Sequence, residues 1–105
     1  MICRSHEARP RTYSGVEFEV LATDSESMVT KMKYREGNQV PFHSHPNSQS
    51  GYVVSGRYRL LTPGSDEILT AGDSYAISAD VQHSVEVLEA GEVIDVFAPP
   101  RQDYL

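Results

Sequence analysis

Apolar and polar residues alternate with a period of two over much of this chain. Val16, Phe18 and Val20 alternate with glutamates, so this stretch has one apolar and one acidic face. Residues 28–35 repeat the pattern, with Met28 and Met32 on the apolar side. A period of two is typical of strands that are buried on one face and exposed on the other. Both stretches therefore predict antiparallel strands.

Turn-forming residues divide the rest of the chain into short segments. Clusters of Gly, Pro, Asn, Asp and Ser occur near residues 36–38, 55–56, 63–66, 71–73, 78–80 and 89–91. The remaining predicted strands lie between them, at residues 51–54, 58–61, 68–70, 75–77, 84–88 and 93–98. No apolar stripe of helical spacing and length interrupts this series. About eight to ten short strands predict an all-β sandwich or barrel.

The length of 105 residues is enough for one small hydrophobic core. We predict an N-terminal arm over residues 1–15 that is mobile, a β-barrel over residues 16–98, and a C-terminal tail over residues 99–105. Pro99 and Pro100 donate no backbone hydrogen bond, so the tail cannot continue a central strand. It is expected to lie across the surface or mouth of the barrel.

Charge and cysteine content restrict the function classes. The chain has 15 acidic and 9 basic residues, for a net charge of -6, and its basic residues form no cluster that could bind a phosphate backbone. No apolar run reaches the roughly 18 residues of a membrane span. The single cysteine, Cys3, cannot form an internal disulfide. We expect no nucleic-acid or membrane partner, and a cytoplasmic protein.

A group of histidines is the strongest candidate for chemistry. On a strand, His43 and His45 would point in the same direction, at a spacing that suits the chelation of one ion. Gln49 follows in the same segment and His83 stands on a separate strand. Three imidazoles and one amide oxygen would form a four-ligand metal site with room for water or substrate. Taken singly, each of these residues has an ordinary structural explanation, as a hydrogen-bonded strand histidine or a polar loop residue.

The spacing around these residues resembles the two motifs of the cupin family. In the first motif, Gly37 is followed by five residues and then His43 and His45; three residues lead to Gln49, and six more to Gly56.

In the second motif, Gly72 is followed by five residues, then by residues 78–80, and then by two residues and His83. The departures are Gln49 in place of Glu, Ser78 and Asp80 in place of Pro and Gly, and Val87 in place of Asn. The resemblance implies a small jelly-roll β-barrel of the RmlC-like type. It also implies one divalent metal ion (Zn, Ni, Mn or Fe) on His43, His45, Gln49 and His83.

The neutral Gln49 affects the expected metal chemistry. Without a carboxylate ligand, the charge of a divalent ion is not compensated by the ligands, which favours Lewis-acid chemistry over oxygen activation. If Gln49 points away, the site has three ligands instead.

Asp95 interrupts an apolar stretch at residues 93–98 and needs a partner, because a buried carboxylate is costly when it is unpaired. Asp95 and Phe97 share one face of the predicted strand. If that face lines the barrel lumen, the ion or Arg101 can balance the charge of Asp95. Alternatively, Asp95 is structural and is held by backbone amides or by Arg57 or Arg59.

A closer resemblance concerns Gln49, the segment 51–56 that follows it, and the ending 95–105. Together they look like the small cupins of pectin and alginate degradation, which convert 4,5-unsaturated uronates to linear 5-keto-4-deoxyuronates. This implies that Asp95, Phe97 and Arg101 take part in catalysis or substrate binding. Asp95 would carry protons, Arg101 would bind the carboxylate of an anionic sugar, and Phe97 would form an apolar wall.

Two other functions stay open: another metal cupin, such as a dioxygenase or a sugar isomerase, and a non-enzymatic barrel that binds a small ligand. The six tyrosines are expected to be structural aromatics rather than catalysts. A homodimer is expected, because pairing would cover sheet edges and apolar faces of so small a barrel.

Overall fold

The computed structural model describes residues 1–105 and contains ten strands and two short 3₁₀ helices. The strands are β1 Arg9–Tyr13, β2 Val16–Thr23, β3 Met28–Tyr34, β4 Gln39–His43, β5 Ser48–Val53, β6 Arg57–Thr62, β7 Ser65–Thr70, β8 Ser74–Ile77, β9 His83–Glu89 and β10 Gly91–Ala98. The 3₁₀ helices are Ser5–Glu7 and Gln102–Tyr104. The all-β prediction and the predicted number of strands are confirmed. The structure contains no helix with the length and apolar character that a membrane crossing requires.

The strands form two antiparallel sheets, which is the architecture of a jelly-roll barrel. One sheet has the order β1-β2-β3-β10-β5-β8, and the other has the order β4-β9-β6-β7. The buried apolar residues of both sheets form one core, which includes Val16, Phe18 and Val20 of β2 together with Tyr58 of β6 and Val87 of β9. The alternation that predicts β2 therefore corresponds to its inward face.

The N-terminal arm requires a correction. Within residues 1–15, strand β1 pairs along its whole length with β2 and forms one edge of the larger sheet. The sequence shows no alternation here because an edge strand with both faces largely solvent-accessible needs none, and an edge position tolerates Pro10. This part of the arm is therefore a strand of the sheet rather than a mobile extension.

Strand β10 places the residues from its inward face at the centre of the larger sheet. It lies between β3 and β5, and Val93, Asp95 and Phe97 are all nearly inaccessible to solvent. Val96 on the opposite face is exposed. Asp95 and Phe97 therefore share the lumen face.

The C-terminal tail turns into the barrel. Tyr104 is buried, and its ring centroid lies 4.4 Å from that of Phe18. The backbone carbonyl of Tyr104 accepts a hydrogen bond from Arg11 of β1. Asn47, in the loop before β5, donates from Nδ2 to the carbonyl of Pro99 at 2.7 Å. The tail thus closes one end of the lumen and brings Arg101 into it.

Candidate functional site

Three histidines meet although they come from different parts of the fold. His43 ends β4 and is directly paired with His83, the first residue of β9. His45 lies in the loop after β4, not on the strand that the sequence predicts for it. Even so, ligand atoms of the three imidazoles lie within 4.8 Å of one another, and the group could hold a metal ion.

The backbone determines which nitrogen each histidine presents. Nδ1 of His43, His45 and His83 lies 2.8 to 2.9 Å from the carbonyl oxygens of Pro41, Asn47 and Val81, respectively. A carbonyl oxygen only accepts, so each Nδ1 carries a proton and donates. In the neutral ring, Nε2 then has a free lone pair. Second hydrogen bonds of this kind orient metal-binding histidines in proteins.

Burial keeps two of these rings neutral. It lowers the pKa of His83 to about 4 and also lowers the pKa of His45. A neutral imidazole is the form that binds a metal ion, so neither ring has to lose a proton at neutral pH.

Gln49 completes a donor set that suits a cation. It lies on β5, buried, and its Oε1 is 3.1 Å from Nε2 of His45. Because Nδ1 of His45 already donates to Asn47, this contact brings two lone pairs face to face in this orientation of the amide. A cation bound by both Nε2 of His45 and Oε1 of Gln49 would replace this repulsion with attraction. The three histidines and Gln49 therefore fit a divalent ion that accepts nitrogen and oxygen ligands.

Asp95 has a partner that the sequence did not indicate. The hydroxyl of Tyr75, on β8, donates a hydrogen bond to Oδ1 of Asp95. Arg57, Arg59 and Arg101 form no salt bridge with Asp95; Arg59 instead pairs with Asp66 on the outer surface. The sequence did contain one signal for this contact, a glycine at position 51 inside a strand, since such a glycine often marks a close approach.

The environment of Asp95 favours proton transfer near neutral pH. Burial raises the pKa of its carboxyl to about 6, while the Tyr75 hydroxyl and the Gln49 amide act in the opposite direction. Burial and the adjacent Asp95 raise the pKa of Tyr75 well above its ordinary value, so Tyr75 stays protonated and donates. A group with a pKa near the working pH can both accept and release a proton.

Arg101 is a buried cation that already binds a carboxylate. Its Nε and Nη2 donate to the two oxygens of Asp103 at 3.2 and 2.7 Å, and its Nη1 donates to the hydroxyl of Tyr104 at 2.9 Å. The guanidinium carbon lies 5.3 Å from the ring centre of Phe97 and 4.0 Å from that of Tyr104. This two-pronged geometry is the one in which arginine recognises carboxylates.

Six of the seven residues that the sequence singles out line one cavity of about 20 Å³: His43, Gln49, His83, Asp95, Phe97 and Arg101. The seventh, His45, touches Gln49 and lines an open groove of about 610 Å³ on the outer side of the tail. Arg101 borders both spaces. The cavity has room for an ion or a water molecule, whereas the groove has the size of a small-molecule site.

Comparisons with known proteins agree with this geometry. The family model described as a cupin domain matches residues 30–97. The pectin degradation protein KdgF of Dickeya dadantii (strain 3937) is 30% identical over 93 residues, which cover 87% of this chain and 84% of that protein.

Two solved structures superpose along nearly the whole chain. One is an RmlC-like cupin from Shewanella frigidimarina, with a TM-score of 0.90 and 28% identity, covering 99% of this chain and 95% of that one. The other is KdgF from Halomonas sp., with a TM-score of 0.87 and 27% identity, covering 98% and 96%.

Proposed function

The chain belongs to the cupin family, and we propose that it is a metal-dependent enzyme that converts 4,5-unsaturated uronates to linear 5-keto-4-deoxyuronates. The observation that carries the proposal is the single cavity shared by two histidines of the cluster, His43 and His83, a buried carboxyl and a buried guanidinium. The similarity to a pectin degradation protein supports the choice of substrate class, because unsaturated uronates are the products of lyases that act on pectin.

His43, His45, Gln49 and His83 would hold the metal ion in this proposal. All four offer neutral donor atoms, so a bound divalent ion would keep its full charge. Such an ion supplies Lewis acidity toward a substrate oxygen.

Arg101 would bind the carboxylate of the sugar acid. It is 4% exposed and already grips the Asp103 carboxylate through two N–H groups. The incoming carboxylate would replace that of Asp103, whose side chain is half-exposed. Desolvation of Arg101 strengthens this contact and disfavours neutral sugars, which would leave the guanidinium unpaired.

Asp95 would carry the protons of the reaction, which is an isomerisation. The hydroxyl at C1 loses a proton and the ring oxygen gains one as the bond between C1 and the ring oxygen breaks, which leaves an aldehyde at C1 and an enol at C5. The enol oxygen then loses its proton and C4 gains one, so that the double bond becomes a ketone at C5. No electron donor or acceptor is needed. A carboxyl with a pKa of about 6 can serve both the accepting and the donating steps.

Substrate entry requires the C-terminal tail to move. A sugar acid does not fit a cavity of about 20 Å³, and Tyr13 and Arg101, which line both spaces, lie between this cavity and the groove. In the proposal, the sugar binds from the groove and the end of the tail gives way as Asp103 leaves Arg101.

The test is turnover of unsaturated galacturonate generated by a pectin lyase. We expect the metal-loaded protein to remove the ultraviolet absorbance of the conjugated double bond and to produce a linear ketone that is identified by NMR. Oxygen uptake, measured in the same vessel, should be absent. Oxygen consumption without ketone formation would instead favour a dioxygenase.

A further inference from the structure

Tyr75 presents a hydroxyl whose position is not explained by packing. Its ring borders a set of apolar side chains in the barrel core that includes Val53 and Leu69. A phenylalanine would fill the same space. The hydroxyl is buried, where an unpaired polar group is unfavourable, and it donates to Oδ1 of Asp95.

Gly51 leaves the space through which this hydrogen bond passes. In the sheet, Gly51 of β5 lies between its two cross-strand partners, Asp95 on β10 and Tyr75 on β8. A Cβ atom at position 51 would come within 2.6 Å of Oδ1 of Asp95 and still closer to the end of the Tyr75 ring. Tyr75 therefore reaches across a whole strand to Asp95 because residue 51 has no side chain.

Apart from Tyr75 and the nearby Gln49 amide, the Asp95 carboxylate has no charged partner. No lysine, arginine or histidine forms a salt bridge with it. The carboxylate also lines the same cavity as His43 and His83. A carboxylate that is free to rotate beside such a cluster would be drawn toward a bound cation and would become a ligand.

We propose that Tyr75 is a positioning residue, which holds Asp95 through Oδ1 across Gly51 and keeps this carboxylate in the cavity as a proton carrier rather than a metal ligand. The inference rests on the proposed function for its catalytic consequence. The geometric consequence, a fixed Asp95 beside the histidine cluster, does not depend on which substrate is used.

The test compares Tyr75→Phe with Tyr58→Phe. Both changes remove one hydroxyl from a tyrosine that packs in the core, Tyr58 fully buried and Tyr75 partly buried, but the Tyr58 hydroxyl donates to the backbone carbonyl of Ser55, away from the cavity. For Tyr75→Phe we expect kcat to fall by about 10- to 100-fold, the range for a lost hydrogen bond to a charged group. KM, metal content per chain and melting temperature should match those of Tyr58→Phe. Gly51→Ala, which separates Tyr75 from Asp95 without removing the hydroxyl, should reproduce the loss of kcat.

A second measurement needs no turnover. In Co(II)-loaded protein, Tyr75→Phe should change the visible absorption spectrum, because the released carboxylate joins the metal, and Tyr58→Phe should leave the spectrum unchanged. A spectrum that Tyr75→Phe does not alter would overturn the inference, even if the wild-type protein proved inactive on uronates. The inference would also be overturned if the wild type were active and Tyr75→Phe had the same kcat as Tyr58→Phe. That result would leave the proposed function intact.

Discussion

Replacing Asp103 with Asn tests whether the tail competes with the substrate for Arg101. In the structure, the Asp103 carboxylate accepts hydrogen bonds from both Nε and Nη2 of Arg101. Arg101 is 5% exposed and Asp103 is 52% exposed by side chain. Exposed pairs contribute about 0.2 to 1 kcal/mol and desolvated charged hydrogen bonds about 1.5 to 3 kcal/mol. The Arg101–Asp103 pair has one buried and one exposed partner, so its contribution should lie between these two ranges. We expect an interaction energy of about 1 kcal/mol, which corresponds to about 5-fold in binding.

The expected result is a KM for unsaturated galacturonate that falls by about 5-fold in Asp103→Asn, with kcat little changed. The control is Asp66→Asn, which removes an equally exposed carboxylate that bonds Nε of Arg59 at 2.9 Å, outside the cavity. Both variants change the net charge by the same amount, so a general electrostatic effect on an anionic substrate would lower KM in both. An unchanged or higher KM in Asp103→Asn, relative to Asp66→Asn, would refute the competition.

Three further predictions concern the lumen. His83→Ala should weaken metal binding by more than about 100-fold, as measured by competition with a chelating dye, because loss of a ligand exceeds the effect of losing a ligand's hydrogen-bond partner. Asp95→Asn should lower kcat by about 100-fold or more while metal content stays at the wild-type level. In chelated protein, unfolded His83 gains a proton below pH 6.5, whereas folded His83 gains one only near pH 4. This residue therefore lowers the stability of the folded state as the pH decreases from 6.5 to 4. Asp95, with its pKa raised from 3.8 to about 6, acts in the opposite direction. The melting temperature of chelated Asp95→Asn should therefore decrease more between pH 6 and pH 4 than that of the chelated wild type.

The residues that the sequence predicts well are those whose position follows from strand periodicity. Asp95 and Phe97 were placed on one face because successive side chains alternate, and the structure shows both in the lumen. The histidine cluster was predicted from motif spacing, although His45 lies in a loop. The loop nevertheless places the His45 ring beside the other two histidines, as a strand would have done.

The contacts that the sequence did not predict depend on which strands are neighbours. Tyr75 and Asp95 are 20 positions apart and meet only because β8 and β10 flank β5. Strand β1 has no apolar alternation, because its partner β2 supplies the buried face of that edge. The engagement of Arg101 by Asp103 was also missed, since it depends on the tail folding back into a short 3₁₀ helix.

The most direct test of the central claim is the rate of unsaturated galacturonate conversion before chelation, after chelation and after the divalent ion is restored. The account predicts ketone formation well above the spontaneous rate, its loss on chelation and its recovery on reloading. A fully metal-loaded protein that leaves the substrate at its spontaneous rate, or a chelated protein that stays fully active, would contradict it.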